Sequence, residues 1–135
     1  MNDDEIRLQN RTLLEKVIST IGTVNKSVLK SFYTEDWILE LPYSDPPKSL
    51  KGKEEIFSYL ETQMDKFDFR LALLGIHECI DPNLLIAEYA SFGKSNSTNK
   101  PYENSYIGLW RFRDGRICGV KEYLNPVIAA QANMP

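Results

Sequence analysis

The stretch Tyr102–Leu124, YENSYIGLWRFRDGRICGVKEYL, decides how this chain folds. Aromatic and branched residues fill two runs, Tyr102–Phe112 and Arg116–Leu124, the composition of strands. Between them stands Asp114-Gly115, a pair that accepts the left-handed backbone of a tight hairpin. Moving upstream, Leu84–Gly93 and Phe67–Cys79 read as two more strands, joined by the turn Asp81-Pro82-Asn83. The polar segment Lys94–Lys100 reads as a mobile loop. From Phe67 onward the chain is therefore an antiparallel meander.

Before it the hydrophobic period is helical. Ile6, Leu13, Leu14, Val17, Ile18 and Ile21 share one helical face, and Gly22 suits the residue just past the helix end. Asn25 is placed to cap a short second helix carrying Val28, Leu29, Phe32 and Tyr33. Trp37, Leu39, Leu41 and Tyr43 then alternate with Ile38, Glu40 and Pro42, as in a strand. Ser44–Gly52 holds two prolines and reads as a loop. Lys53–Lys66 returns to helix, with Ile56, Phe57, Leu60 and Met64 on one face. Asn125–Pro135 reads as a tail with at most a short Ala-rich turn. The expected class is α+β: three N-terminal helices on a curved, mainly antiparallel sheet that encloses an apolar pocket. A single domain spanning 1–135, with 126–135 as its tail, follows from the absence of repeats and linkers.

Composition narrows the function. At 135 residues, with 42% hydrophobic and 26% charged residues, the chain can bury one core unaided. A net charge of −3 argues against nucleic acid, which requires concentrated Lys and Arg. No run approaches the roughly 20 apolar residues of a membrane span. The polar, acidic start is unlike a signal peptide, so a cytoplasmic location is expected. Cys79 and Cys118 then read as reduced and structural, and the N-x-[ST] matches at Asn10, Asn25 and Asn96 as chance.

Few residues could carry chemistry. One histidine, His77, and no Cys/His cluster leave no metal site to expect. There is no nucleophile elbow and no phosphate-cradling loop around Gly52-Lys53. Carboxylates inside strands remain: Glu40, Glu88 and Glu122. Glu122 stands out by parity. Cys118, Val120, Glu122 and Leu124 occupy one strand face, while Gly119, Lys121 and Tyr123 occupy the other. A carboxylate on an apolar face must be hydrogen-bonded, protonated or beside a cavity. Desolvation moves its pKa toward neutrality, which suits a general acid or base. A Glu satisfied by a tyrosine, or held at a dimer interface, fits the same pattern. Alternation cannot decide whether Glu40 and Glu88 also face inward; if they did, a carboxylate pair could activate water.

The motifs Tyr102-Glu103-Asn104, Trp110-Arg111-Phe112, Asp114-Gly115-Arg116-Ile117 and Glu122-Tyr123-Leu124-Asn125 resemble the C-terminal half of the PhzA/PhzB phenazine-biosynthesis proteins. Lys51-Gly52-Lys53 and Asp81-Pro82-Asn83 are similar too, and the likeness runs from about Asn10 to Ala130. These proteins belong to the SnoaL-like branch of the ketosteroid isomerase and nuclear-transport-factor-2-like superfamily. The resemblance implies a cone-shaped α+β roll, a deep apolar pocket, a homodimer through the sheet, and no cofactor. It implies acid/base catalysis at Glu122, where PhzA/PhzB carry a glutamate and SnoaL-type cyclases an aspartate. Their third-helix histidine falls on Tyr59, which can hydrogen-bond but is no base near neutral pH. The tyrosine and two aspartates of ketosteroid isomerases fall on Val17, Leu41 and Gly108, so isomerisation of steroids is not expected.

On this reading Asn104, Tyr106, Gly108, Trp110 and Phe112 share the concave face, and Trp37, Leu39, Leu41, Phe57 and Tyr59 complete the wall. The expected ligand is a flat hydrophobic or aromatic small molecule. The expected function is acid/base chemistry of cyclase, isomerase or condensation type, with Glu122 as proton shuttle. A non-catalytic ligand-binding or dimerisation module is the alternative.

Overall fold

The computed structural model describes residues 1–22 and 26–135. The proposed cap Asn25 lies outside the described residues. Helix α1 (Asp3–Thr20) starts in a capping box, the Asn2 side chain accepting from the Glu5 amide while the Glu5 side chain reaches back. It presents Leu14, Val17 and Ile18 to the core. Gly22 follows with φ +88°, and a Cβ there would stand 2.2 Å from the Phe69 carbonyl oxygen, so only glycine fits this corner. Helix α2 (Lys26–Ser31) is a turn and a half long.

Tyr33, expected to end that helix, instead opens strand β1 (Tyr33–Leu41) and stacks against Trp37 at 4.2 Å. Burial of its ring with Trp37 and Phe57 outweighs the helical spacing that suggested otherwise. Within the expected loop lies a short strand β2 (Lys48–Lys51), paired antiparallel with β1. Its four residues alternate half-buried and exposed, too brief a pattern to stand out from flanking prolines. Helix α3 (Lys53–Met64) begins at Gly52. Strands β3 (Phe67–Glu78), β4 (Leu84–Ser95), β5 (Pro101–Arg113) and β6 (Arg116–Leu124) complete one six-stranded sheet in the order β2-β1-β6-β5-β4-β3. All pairings are antiparallel except β1 with β6. The β5–β6 hairpin turns through Asp114 at φ 51° and Gly115 at φ 75°, the geometry that pair of residues favours.

One register detail corrects the parity of β6. Arg111 pairs with Gly119 but Phe112 pairs with Ile117, so Cys118 is the extra residue of a bulge. Ile117, not Cys118, is buried in the core, while Val120, Glu122 and Leu124 keep the inward face.

The expected tail is a helix, α4 (Pro126–Asn133). The Asn125 side chain accepts from the amides of Val127 and Ile128, and Pro126 takes the first helical position, where its missing N–H costs nothing. The segment expected to be mobile, Lys94–Lys100, is tied to this helix. Ser95 donates to Asn133 Oδ1 at 2.7 Å, Thr98 donates to the Ala132 carbonyl, and Lys100 Nζ donates to the Met134 carbonyl at 2.6 Å. At its other end Asn104 Nδ2 donates to the Asn125 carbonyl, 2.9 Å away, and accepts from the Asn125 amide through Oδ1. Asn10, a formal N-x-[ST] match, is buried and donates to the Pro82 carbonyl and Asn83, locking α1 to the β3–β4 turn.

Candidate active site in the mouth of the sheet

The inward rows of the sheet set the site. Gly108 pairs with Glu122 and with Ala87, so the Glu122 carboxyl shares its row with two small residues. The rows on either side hold Tyr89, Tyr106 and Leu124 on one flank, and Leu85, Trp110, Val120 and Leu39 on the other. The large flanking side chains close over the two small residues, and the hollow opens in front of Glu122, Tyr89 and Trp110. Helices α3 and α4 roof it with Tyr59, Leu60, Gln63, Met64, Pro126 and Ala129. The cavity measures about 310 Å³.

Among the described residues that line the cavity Glu122 is the one carboxyl, and none is Lys, Arg or His. Tyr89, fully buried, donates a short hydrogen bond from its hydroxyl to Glu122 Oε2. Among the described residues Oε1 has no hydrogen-bond partner. Burial pushes the Glu122 carboxyl above its ordinary range, and the Tyr89 hydrogen bond opposes this only in part. Burial also raises the hydroxyl pKa of Tyr33, Tyr59, Tyr89 and Tyr106, and the Glu122 charge adds to each. These tyrosines are therefore neutral donors, not bases, across the ordinary pH range.

A ladder of hydroxyls orients the wall. Tyr106 stacks on Tyr89 with centroids 5.2 Å apart and an 8° tilt, and donates to Ser91 at 3.1 Å. Its hydroxyl meets that of Tyr102 at 2.8 Å, and Tyr102 accepts from Asn104 Nδ2 at 3.1 Å. Each ring is thus held by a second contact, which fixes the aromatic wall before any ligand arrives.

Trp37, Leu39, Leu41, Tyr59, Tyr106, Trp110 and Glu122 all line the cavity. Four expected wall residues do not. Phe57 sits behind the wall, 5.3 Å from the Tyr33 ring and 5.6 Å from Trp37, because α3 turns that face into the core. Asn104 spends its amide on Tyr102, Asn125 and the Ser105 amide, so it braces α4 instead of meeting a ligand. Gly108 does leave room, but the protein fills it: a Cβ there would lie 2.4 Å from Trp110 Nε1 and 2.8 Å from the Tyr89 hydroxyl. Phe112, expected on the concave face, is buried in the core away from the cavity.

Glu88 and Glu40 lie on the outer face. Glu88 meets His77 at 2.7 Å and Glu40 faces Lys121 at 3.9 Å, all half exposed. A carboxylate pair with Glu122 is therefore not formed. Among the described residues no cluster of His, Cys, Asp or Glu is placed to hold a metal, and no helix is long and apolar enough to cross a membrane. Tyr89 is the site residue sequence reasoning passed over. Alternation of Leu85, Ala87, Tyr89 and Ser91 along β4 carries the signal for it. Tyr33, Pro126 and Ala129 were hidden by misplaced element boundaries.

A sequence profile of the SnoaL-like domain matches residues 14–120. The Bacillus subtilis (strain 168) protein YesE is 31% identical over 107 residues, covering 74% of this chain and 73% of that protein. A crystal structure from Bacillus subtilis, described as a candidate isomerase, superposes with a TM-score of 0.86 at 27% identity, covering 98% of this chain and 95% of the other. A phenazine-biosynthesis-related protein of Pseudomonas aeruginosa gives 0.85 at 24% identity, covering 98% and 90%. The same fold in a protein of Catenulispora acidiphila, 14% identical with a TM-score of 0.76 and coverage of 91% and 93%, is solved in complex with trimethylamine.

Proposed function

We propose, from the premise that this chain belongs to the SnoaL-like domain family, that it is an acid/base enzyme acting on a cyclic, carbonyl-bearing small molecule. The observation that carries this reading is Glu122: a carboxyl in an aromatic cavity, uncompensated by any lining cation, with one oxygen held by Tyr89 and the other free. Glu122 Oε1 takes a proton from a carbon beside the carbonyl and returns it to a second atom of the same substrate. The Tyr89 hydroxyl stabilises the carboxylate form and fixes its orientation. Tyr59, on α3 across the cavity, offers a neutral hydroxyl to the ligand. Leu39, Leu41, Trp37, Tyr106 and Trp110 supply flat apolar contact.

Steroid isomerisation does not fit. Val17 is fully buried in the core, Leu41 is aliphatic, and Gly108 has no side chain to donate. A non-catalytic binding module would be favoured by Glu122 in an ion pair with Lys or Arg, and among the described residues no such pair is formed.

The reading is tested with 2-tetralone, a flat ketone with acidic α-hydrogens. The wild-type protein is expected to accelerate exchange of those hydrogens in D₂O, followed by proton NMR. Glu122→Gln, which keeps the shape and the Tyr89 contact, is expected to lose about 100-fold or more of that rate. Equal exchange by the variant would remove Glu122 from the reaction.

A further inference from the structure

Proton abstraction beside a carbonyl moves negative charge onto the carbonyl oxygen. An enzyme lowers that barrier with donors aimed at where the charge appears. Among the described residues no cation lines this cavity, so the donors on hand are neutral N–H and O–H groups. Tyr89 is already committed to Glu122, and Tyr102 and Tyr106 to one another and to Ser91. The Tyr33 and Tyr59 hydroxyls and the Gln63 amide also line the cavity, but two further donors are fully buried without a partner among the described residues. The indole nitrogens of Trp37 and Trp110 are buried, have no hydrogen-bond partner, and belong to residues that line the cavity. A buried donor with no acceptor is costly, so a protein that keeps two in one wall has a use for them or a partner to come.

Their positions differ. Trp37 lies between Tyr33 and Phe57, away from the carboxyl row. Trp110 lies one inward row from Glu122, and its Nε1 reaches into the space above Gly108, the residue paired with Glu122. The Tyr89 hydroxyl that binds Glu122 occupies the same space from the other side. The missing side chain at Gly108 is what brings a free N–H donor beside the proton-transfer pair.

We propose that the Trp110 indole N–H is a catalytic donor, donating to the substrate carbonyl oxygen and holding the enolate charge that Glu122 creates. This rests on the reading of Glu122 as the proton-transfer group. It assigns the substrate a carbonyl oxygen two bonds from the carbon that loses its proton. The nitrogen has almost no accessible surface even in the empty cavity, so a small turn of the indole ring is what brings it to the substrate oxygen, in a dry site where the bond is strongest.

The chain has only two tryptophans, so only two indole N–H signals appear in a ¹H–¹⁵N spectrum. Trp110→Phe assigns them by deletion. Titration of the wild-type protein with 2-tetralone is expected to move the Trp110 indole signal downfield, while tetralin, the same ring system without the oxygen, leaves it in place. In the exchange reaction Trp110→Phe is expected to slow the rate by about 10- to 1000-fold with little change in the affinity for tetralin. Equal displacement of the Trp110 signal by both compounds, with cavity resonances perturbed by each, would overturn the donor role and leave the Glu122 reading intact. Exchange that survives in Glu122→Gln would overturn the Glu122 reading, and the donor role with it. Failure of both compounds to perturb any cavity resonance would overturn the two together. Should Trp110→Phe not fold, the wild-type titration decides alone, since the Trp37 signal is identified by Trp37→Phe.

Discussion

At the scale of single residues, the Glu122–Tyr89 pair has a consequence for stability. The folded protein holds the Glu122 proton more tightly than the unfolded chain, because burial raises its pKa and Tyr89 offsets this only partly. A raised folded-state pKa means the stability tied to this group is fully present below the ordinary carboxyl pKa. It is lost as pH rises through the raised value. The groups facing Glu122 are Tyr33, Tyr59, Tyr89 and Tyr106, all neutral through that window. Glu122→Gln carries no charge to desolvate. Its melting temperature relative to wild type is expected to climb by roughly 3 °C between about pH 4 and about pH 8. Parallel profiles would show that the carboxyl is not desolvated. Glu122 was legible in the sequence because a nine-residue strand with an apolar row exposes any polar intruder. Tyr89 was not, because a tyrosine on an apolar row looks like ordinary core, and its partner is 33 positions away.

At the scale of elements, the helix that sequence reading left as a tail closes the site. Its capping residue was visible: Asn125 followed by proline is a helix-start signal. What hid the helix is its length, eight residues, below what stands alone in water. Tertiary ties supply the difference, with Asn104 at one end and the β4–β5 turn at the other. Asn125→Ala removes the acceptor for two amides but keeps the backbone contacts with Asn104. It is expected to cost about 1 kcal/mol, seen as a small drop in melting temperature, and to weaken 2-tetralone binding more than that drop alone would. Binding unchanged in a destabilised variant would show that α4 is a brace and not a wall of the site. The short strand β2 escaped notice for the same reason as α4: four residues carry too little pattern.

At the scale of the whole molecule, the long strands of the meander were readable from composition, and the helices from their period. The bulge at Cys118 and the parallel β1–β6 pairing were not, since both are settled by contacts distant in sequence. The outer face of the sheet carries Ile38, Phe92 and Ile107, each substantially exposed, with Tyr123 paired beside Ile107. We infer that two copies meet through this face. Sedimentation of the wild-type protein is expected to show a dimer, and Ile107→Glu to shift it toward monomer by burying an unpaired charge. A wild-type monomer at tens of micromolar, as roughly judged against ordinary dimer affinities, would refute the association.

Both tryptophans of the chain stand in the cavity wall. Emission excited selectively at the indoles therefore originates wholly at the candidate site, with no surface tryptophan to dilute it. A compound library can be screened on the unlabelled protein by quenching or spectral shift, each response reporting occupancy of that one chamber.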